Sequence, residues 1–353
     1  MSDISRRKAD HLDLAAHGDV GFKQTTTLFE CVRLVHDALP DLSFDEIDAS
    51  ARLLGKRVRA PLLIAAMTGG TERAQRVNRE LASIAEQRGY VFGLGSQRAM
   101  HKNRGSSATY QVRDVAPNAL LLGNVGVVQA AQMSSDELGE LVANVGADAL
   151  CVHLNPAMEL VQEEGDRDFR GGLDTIARLV RELPVPVVVK ETGCGISPAL
   201  ARRLVSVGVR HIDVSGAGGT SWVAVETHRA SEQRKALGQS FWEWGIPTAA
   251  SVALAAPFGF QSVFATGGVR SGLDVAKAIA LGASAGGIAR GVLQALENGG
   301  RAAALARLDA IEIELRTAML LCGARDLAAL RQAPRVIVGE LAAWIEQLGS
   351  SQP

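Results

Sequence analysis

A closed (β/α)8 barrel with an N-terminal extension and added C-terminal helices is the α/β fold this sequence predicts. Eight short apolar runs alternate with helical patterns, and the runs are continuously hydrophobic, as strands of a parallel sheet covered on both faces should be. The length of 353 residues suits one barrel of roughly 250 residues plus extensions. A doubly wound open sheet uses the same local pattern, but eight repeats favour closure.

The runs start at Pro61, Tyr90, Ala119, Asp148, Pro186, His211, Ser262 and Ala283, and each ends in polar or glycine-rich residues. Helices are predicted over 71–89, 134–146, 171–183, 197–208, 247–257 and 271–282. Ser134 with acids in the next turn reads as an N-terminus, Ser197-Pro198 places proline at the first helical position, and Gly89, Gly146, Gly208 and Gly282 stand where helices should stop. The chain is expected to form a single domain over 1–353, with its barrel core at about 60–300, an arm over 1–59 and helices over 301–348. A polar insertion, Thr220 to Trp244, follows the sixth run, carries three of the four tryptophans, and reads as a lid.

Apolar residues make up 47% of the chain and charged ones 21%, enough for a large core. Lys and Arg total 37 against 38 Asp and Glu, a net charge of −1 that argues against broad binding to nucleic acid or anionic membrane. Cys31, Cys151, Cys194 and Cys322 lack metal or disulfide spacing, and neither an export signal nor a membrane span is evident. A soluble cytoplasmic protein is expected.

Barrel active sites lie at the C-terminal ends of the strands. The runs there present Met67-Thr68-Gly69-Gly70, Gly95-Ser96-Gln97-Arg98, Asn124, His153 with Asn155, Lys190-Glu191, Ser215 to Thr220, Thr266 to Arg270 and Gly287 to Arg290. Paired Gly-Gly sequences after the seventh and eighth runs point to a phosphate cradle, with Gly267 and Gly268 admitting close backbone approach. Ser271 is expected both to cap the next helix and to add a donor. Lys190 ends an apolar strand, where a cation is costly without an anionic partner. Either an ion pair with Glu191 or Asp213 answers that cost, or an electron-rich ring such as a flavin, whose reduced form a lysine would stabilise. Arg6, Arg7, Lys8 and His11, with Arg98, His101, Lys102 and Arg104, read as a clamp for a diphosphate. The acidic loop after the fourth run, including Gln162 and Glu163, suits Mg²⁺ bridging to such a group.

With these residues laid out, the whole chain resembles type II isopentenyl-diphosphate isomerase, the FMN-dependent family. The resemblance is carried by Arg7 to Leu12, Ala66 to Gly70, Gly95 to Arg98, Asn124, His153 to Asn155, Gln162-Glu163, Lys190-Glu191, Gly218 to Trp222 and Gly267 to Arg270. It implies FMN held by Ala66, Met67, Thr68, Ser96, Asn124, Lys190, Ser215 and Thr220, with Gly267, Gly268, Val269, Arg270, Ala289 and Arg290 at the phosphate. It implies substrate held by Arg7, Lys8, His11, Arg98, Asn155 and Gln162, with Mg²⁺ on Glu163. It further implies a 1,3-proton shift between isopentenyl and dimethylallyl diphosphate in isoprenoid biosynthesis. The flavin N5 is the expected acid or base after reduction by NAD(P)H, Gln162 the candidate catalytic side chain, and a homo-oligomer, tetramer or octamer, the expected assembly.

Two alternatives stay open. An FMN-dependent barrel oxidoreductase of the hydroxy-acid oxidase or dihydroorotate type would share the phosphate loops, but its usual catalytic histidine on a late strand is missing. After His153 only His211, starting a strand, and His228, in the insertion, remain. A non-catalytic phospholigand-binding barrel is opposed by the full set of basic and acidic residues.

Overall fold

The computed structural model describes residues 3–102 and 104–349, and for residues 3–6, His101, Lys102 and Arg104 the backbone alone. The parts of the basic clusters assigned to Arg6, His101, Lys102 and Arg104 therefore lie outside the described side chains. All eight predicted strands form: β1 (Leu62–Ile64), β2 (Val91–Gly93), β3 (Leu120–Gly126), β4 (Ala149–His153), β5 (Val187–Lys190), β6 (His211–Asp213), β7 (Ser262–Ala265) and β8 (Ala285–Ile288). They pair in parallel, in chain order, and β8 closes on β1 through Gly286 opposite Leu62 and Ile288 opposite Ile64.

The pattern that predicted these strands is visible in their burial. Every residue of β3 is buried, because the inside of the barrel covers one face and the helices the other. Fully buried side chains such as Leu62, Ile64 and Leu94 contribute about 2 kcal/mol each. The helices between the strands match the predicted spans within two residues, with Ser134 and Glu137 forming a reciprocal cap and Gly89 and Gly146 in the left-handed conformation that ends a helix.

The extensions close the two ends of the barrel. A ribbon of Ala51–Leu53 paired with Lys56–Val58 lies under the N-terminal ends of the strands. There Leu53 and Val58 join the interior cluster around Leu63, Val91 and Phe264, and Lys56 Nζ sits 2.7 Å from Asp148 just before β4. At the opposite end, the helix Asp3–His17 lies beside the cavity mouth. Arg290 Nε donates to Ala15 O at 3.0 Å and Gln294 Nε2 to Ala16 O at 2.9 Å, so barrel side chains take up carbonyls at its C-terminus. The insertion forms helices Trp222–Arg229 and Glu232–Ser240 and is fastened to the arm. Trp242 Nε1 donates to Gly21 O at 2.9 Å, and the Glu243 carboxylate accepts from the amides of Lys23, Gln24 and Thr25.

Two C-terminal features were not predicted. The strand Arg335–Ile337 pairs antiparallel with Val32–Leu34, tying the tail to the arm. The helix after β8 runs Arg290–Leu321 with a break at Gly299-Gly300, so the predicted start at 301 falls on that break. No helix among the described residues is long and apolar enough to cross a membrane.

Candidate active site

One cavity of about 610 Å³ opens at the C-terminal ends of the strands. Barrel geometry sends every strand end to this mouth, which is why residues far apart in sequence meet here.

The phosphate end is built of glycine. Gly267, Gly268, Val269 and Arg270 line the cavity after β7, with Gly267 at φ 94° and Gly268 at φ 79°. A Cβ on Gly268 would meet Thr27 Cγ2 at 2.5 Å, and one on Gly219 would meet the Gly268 amide nitrogen at 2.3 Å. The two glycine loops are thus packed backbone to backbone, and neither position can carry a side chain without moving the other.

The helix after β7 does not offer its N-terminus. Ser271 caps it as expected but does not line the cavity, and the amides there are taken: Asp274 accepts those of Arg270 and Ser271 at 2.9 and 3.2 Å and Glu314 that of Gly272 at 2.6 Å. The helix after β8 differs. Its N-cap is Ala289, which has no side chain to cap with, and Ala289, Arg290 and Gly291 all line the cavity. An uncapped helix N-terminus facing a glycine cradle is a site for a dianion. Arg290 reaches this wall, but its guanidinium is engaged by the helix Asp3–His17.

The middle of the wall carries the remaining predicted cofactor residues. Ala66, Met67 and Thr68 follow β1, Ser96 follows β2, Asn124 lies within β3, Lys190 ends β5, and Ser215 and Thr220 follow β6. Asn124 Oδ1 lies 2.8 Å from His153 Nδ1. Burial, then Lys190 and Arg98, push His153 down to about 4, so it is neutral at physiological pH, and the hydrogen bond assigns the Nδ1–H tautomer. The ion-pair partner of Lys190, open from sequence, is Asp213, at 3.3 Å. Glu191 instead turns its carboxylate onto the amides of Thr192 and Cys194, and burial pushes it up to about 7.

The mouth collects the cations. Arg7, Lys8 and Arg98 line one side, with His11, Asn155 and Gln162 beside them. Lys8 Nζ donates to Ser96 O at 2.9 Å and bonds the Tyr110 hydroxyl. Burial first, then Arg7 and Arg98, hold Lys8 down to about 7. The Arg7 guanidinium is likewise held below its ordinary value by burial and by Arg98. Gln162 is 4% exposed and its Nε2 has no hydrogen-bond partner, a donor aimed at the cavity wall.

Glu163, expected at the metal, stands outside this group. It does not line the cavity, and its carboxylate is fully exposed and accepts the Ser231 amide at 2.8 Å. The acidic side chain on the wall is Glu159, already bonded to Asn155 Nδ2 and the Asp166 amide. Among the described residues no group of three or more His, Cys, Asp or Glu is placed to hold a metal ion.

Several wall or supporting residues had no sequence signal. Arg307, from beyond the helix break, reaches the cavity and bonds Arg270 O. Glu226, 1% exposed, accepts from His11 and Arg229 and holds the arm against the insertion. Gln294 lines the wall from the helix after β8, and Gln129, which bonds Asp166 Oδ2 at 2.7 Å, does so from the segment after β3.

The residues present suit FMN: a dianion site and a run of wall donors occupy one cavity, with Gln162 Nε2 still unpaired. Comparison with known proteins agrees. A family profile described as FMN-dependent dehydrogenase matches residues 1–158 and 152–336. Over 96% and 95% of this chain, a mandelate oxidase variant (19% identical, TM-score 0.65, all of that chain covered) and a lactate oxidase from Pediococcus acidilactici (15%, TM-score 0.66, 94% of that chain) share the fold. Proteins named isopentenyl-diphosphate delta-isomerase are much more similar. Those of Methanothermobacter thermautotrophicus (45% identical over 98% of this chain and 97% of that one), Methanosarcina mazei (44%, 99% and 96%) and Stutzerimonas stutzeri (46%, 93% and 95%) match almost end to end. The chain therefore belongs to the FMN-dependent dehydrogenase family and, within it, to the isopentenyl-diphosphate delta-isomerases.

Proposed function

We propose that this chain is a single FMN-binding barrel that interconverts isopentenyl and dimethylallyl diphosphate. The observation that carries the proposal is one cavity with two separate anion subsites, the glycine cradle with its uncapped helix at one side and the cluster Arg7, Lys8 and Arg98 at the mouth. A phosphorylated cofactor and a diphosphate substrate together require both.

Reduced FMN, when bound, supplies N5 as proton donor and acceptor for a double bond that ordinary side-chain acids protonate poorly. The chain does the rest. Gly267 to Arg270 and Ala289 to Gly291 hold the phosphate. Lys190 offers its ammonium to negative charge on the reduced cofactor. Arg7, Lys8 and Arg98 hold the diphosphate through charge-assisted hydrogen bonds strengthened by burial, with His11 and Asn155 beside them. Gln162 presents its unpaired Nε2 to orient the substrate or relay a proton. Met67, Leu12 and Trp222 give the cavity apolar surface that excludes water from the hydrocarbon tail.

Mg²⁺ belongs to the proposal as the partner of the diphosphate, with Glu163 as the candidate protein ligand, and NAD(P)H as the source of reducing electrons. Four free cysteines fit the reducing cytoplasm. Assembly as a homo-oligomer, a tetramer or octamer, is part of the same reading and is measured by light scattering.

The oxidoreductase reading lacks its histidine. His211 bonds Ser262 at the N-terminal ends of β6 and β7, His228 bonds Asp19 O, and neither lines the cavity. Purified protein should be yellow and should isomerise isopentenyl diphosphate only with Mg²⁺ and a flavin reductant. Colourless protein that stays inactive after FMN is supplied would sink the proposal, and steady NAD(P)H consumption with a hydroxy acid would support the oxidoreductase instead.

A further inference from the structure

Behind the cavity wall one buried carboxylate holds three of the groups that line it. Asp213 ends β6, is 2% exposed and does not reach the cavity surface. Its Oδ2 lies 3.3 Å from Nζ of Lys190, its register partner on β5. Its Oδ1 accepts the Thr266 hydroxyl at 2.6 Å and the Ser215 amide at 3.2 Å. Lys190, Ser215 and Thr266 all face the cavity. Ser215 heads one glycine loop at φ 38°, a conformation rare for a residue with a side chain, and Thr266 heads the other.

We propose that Asp213 is a positioning residue for the cofactor: it fixes the Lys190 ammonium, offsets its charge, and locks that lysine in register with both glycine loops. This rests on the FMN part of the proposed function and is independent of the isomerase part. The three bonds reach three adjacent strands, so a displacement of Lys190 is transmitted to the loops that cradle the phosphate. The offset charge matters as well. A lysine paired with a buried carboxylate presents less positive potential to the cavity than a lysine alone, which limits how strongly the site favours the more negative, reduced form of FMN.

Asp213→Asn separates these roles from simple packing. The amide oxygen can still accept from Thr266 and Ser215, but the NH₂ group then faces the Lys190 ammonium, donor against donor. The expected result is oxidised FMN bound about tenfold more weakly and the preference for reduced over oxidised FMN raised about tenfold, a midpoint potential about 30 mV more positive for a two-electron couple. An unchanged potential in folded, FMN-binding Asp213→Asn protein would overturn the proposal.

A second measurement covers a variant that folds poorly. Thermal unfolding of the full-length chain, with saturating FMN and without, is compared for Lys190→Met, Asp213→Asn and the double variant. Lys190→Met should lower the Tm by stranding a buried carboxylate, and the double variant should regain most of that loss. Additive losses, or failure of both Asp213→Asn and the double variant to fold, would make Asp213 a scaffold residue only and overturn the proposal. Wild-type chain that binds no FMN would sink the FMN reading itself, and the unfolding cycle would still decide whether Lys190 and Asp213 act as a pair.

Discussion

Two helix N-termini meet the phosphate end of the cavity, and their chemistry is opposite. The helix after β7 is sealed by three groups of its own chain, the Ser271 hydroxyl and the carboxylates of Asp274 and Glu314. The helix after β8 begins at Ala289 with nothing to seal it. Both follow a Gly-Gly sequence, so the glycines alone do not mark the anion site. What marks it is the side chain at the cap: a carboxylate there occupies the positive end of the helix and repels a phosphate, and a methyl group leaves the amides for one.

The largest expected effect comes from reversing that difference. Ala289→Asp would place a carboxylate on the open terminus, and FMN affinity should fall about 100-fold, roughly 2.7 kcal/mol. Unfolding of the FMN-free protein should move the other way, toward a Tm unchanged or higher, because Asp is a favourable N-cap worth about 1 kcal/mol. Fluorescence titration with FMN measures the first and thermal unfolding the second. Affinity within a few fold of wild type would show that the phosphate does not use this terminus.

A third N-terminus extends the comparison to the metal. The helix Glu232–Ser240 has Ser231 at its N-cap without a side-chain cap bond, and Glu163 takes the Ser231 amide instead. The Ser231 hydroxyl first, and then this amide, hold the Glu163 carboxylate below the usual range. If Glu163 leaves this cap to join the diphosphate, Glu163→Gln should raise the Mg²⁺ concentration for half-maximal activity about tenfold, because Mg²⁺ keeps few protein ligands and loses a charge with this one. FMN content should not change. An unaltered Mg²⁺ dependence would leave Glu163 as a helix cap only.

At the mouth the anion site is made of side chains instead of amides, and it should therefore titrate where the phosphate end does not. Lys8 is held down to about 7 by burial and by Arg7 and Arg98, so it is charged below that pH and neutral above it. A bound diphosphate favours the charged form. Binding at pH 8 should thus take up a fraction of a proton, and affinity should fall up to about tenfold per pH unit as pH rises beyond 7. Calorimetry in buffers of different ionisation enthalpy reads the proton uptake, and Lys8→Met should abolish it. A pH-independent affinity in wild-type protein would remove Lys8 from the clamp.

The parts legible in sequence share one property, that local chemistry determines them. Continuous apolar runs such as Val187 to Val189 can only be strands covered on both sides, and Gly89 and Gly146 end helices through backbone conformation alone. Strand ends were legible as a site because a barrel brings them together whatever their spacing, which placed Lys190, Asn124 and Arg98 on one wall. The illegible parts depend on which partner a side chain finds. Nothing near Arg307 in sequence indicates that a helix beyond a Gly-Gly break returns to the mouth. Glu226 gains its role only when the insertion packs on His11. The choice of Asp213 over Glu191 by Lys190 turns on which carboxylate the β5–β6 register places opposite the ammonium. Glu163 and Ser271 were read by residue type, and each accepts a backbone amide: Ser271 that of Asp274, the cap bond expected of it, and Glu163 that of Ser231, which nothing in the sequence pattern pointed to.

The smallest expected effect tests the sealed terminus. Ser271 Oγ accepts the Asp274 amide at 3.0 Å, and Asp274 returns a bond to the Ser271 amide. Ser271→Ala removes one side of this reciprocal cap and should cost about 1 kcal/mol of stability. It removes nothing from the cradle, because Asp274 and Glu314 still occupy the terminus and the phosphate sits on the other helix. FMN affinity should therefore stay within twofold while the Tm falls by a few degrees. A Ser271→Ala protein of normal Tm but weakened FMN binding would mean that the hydroxyl faces the phosphate after all, and the two termini would then share the anion between them.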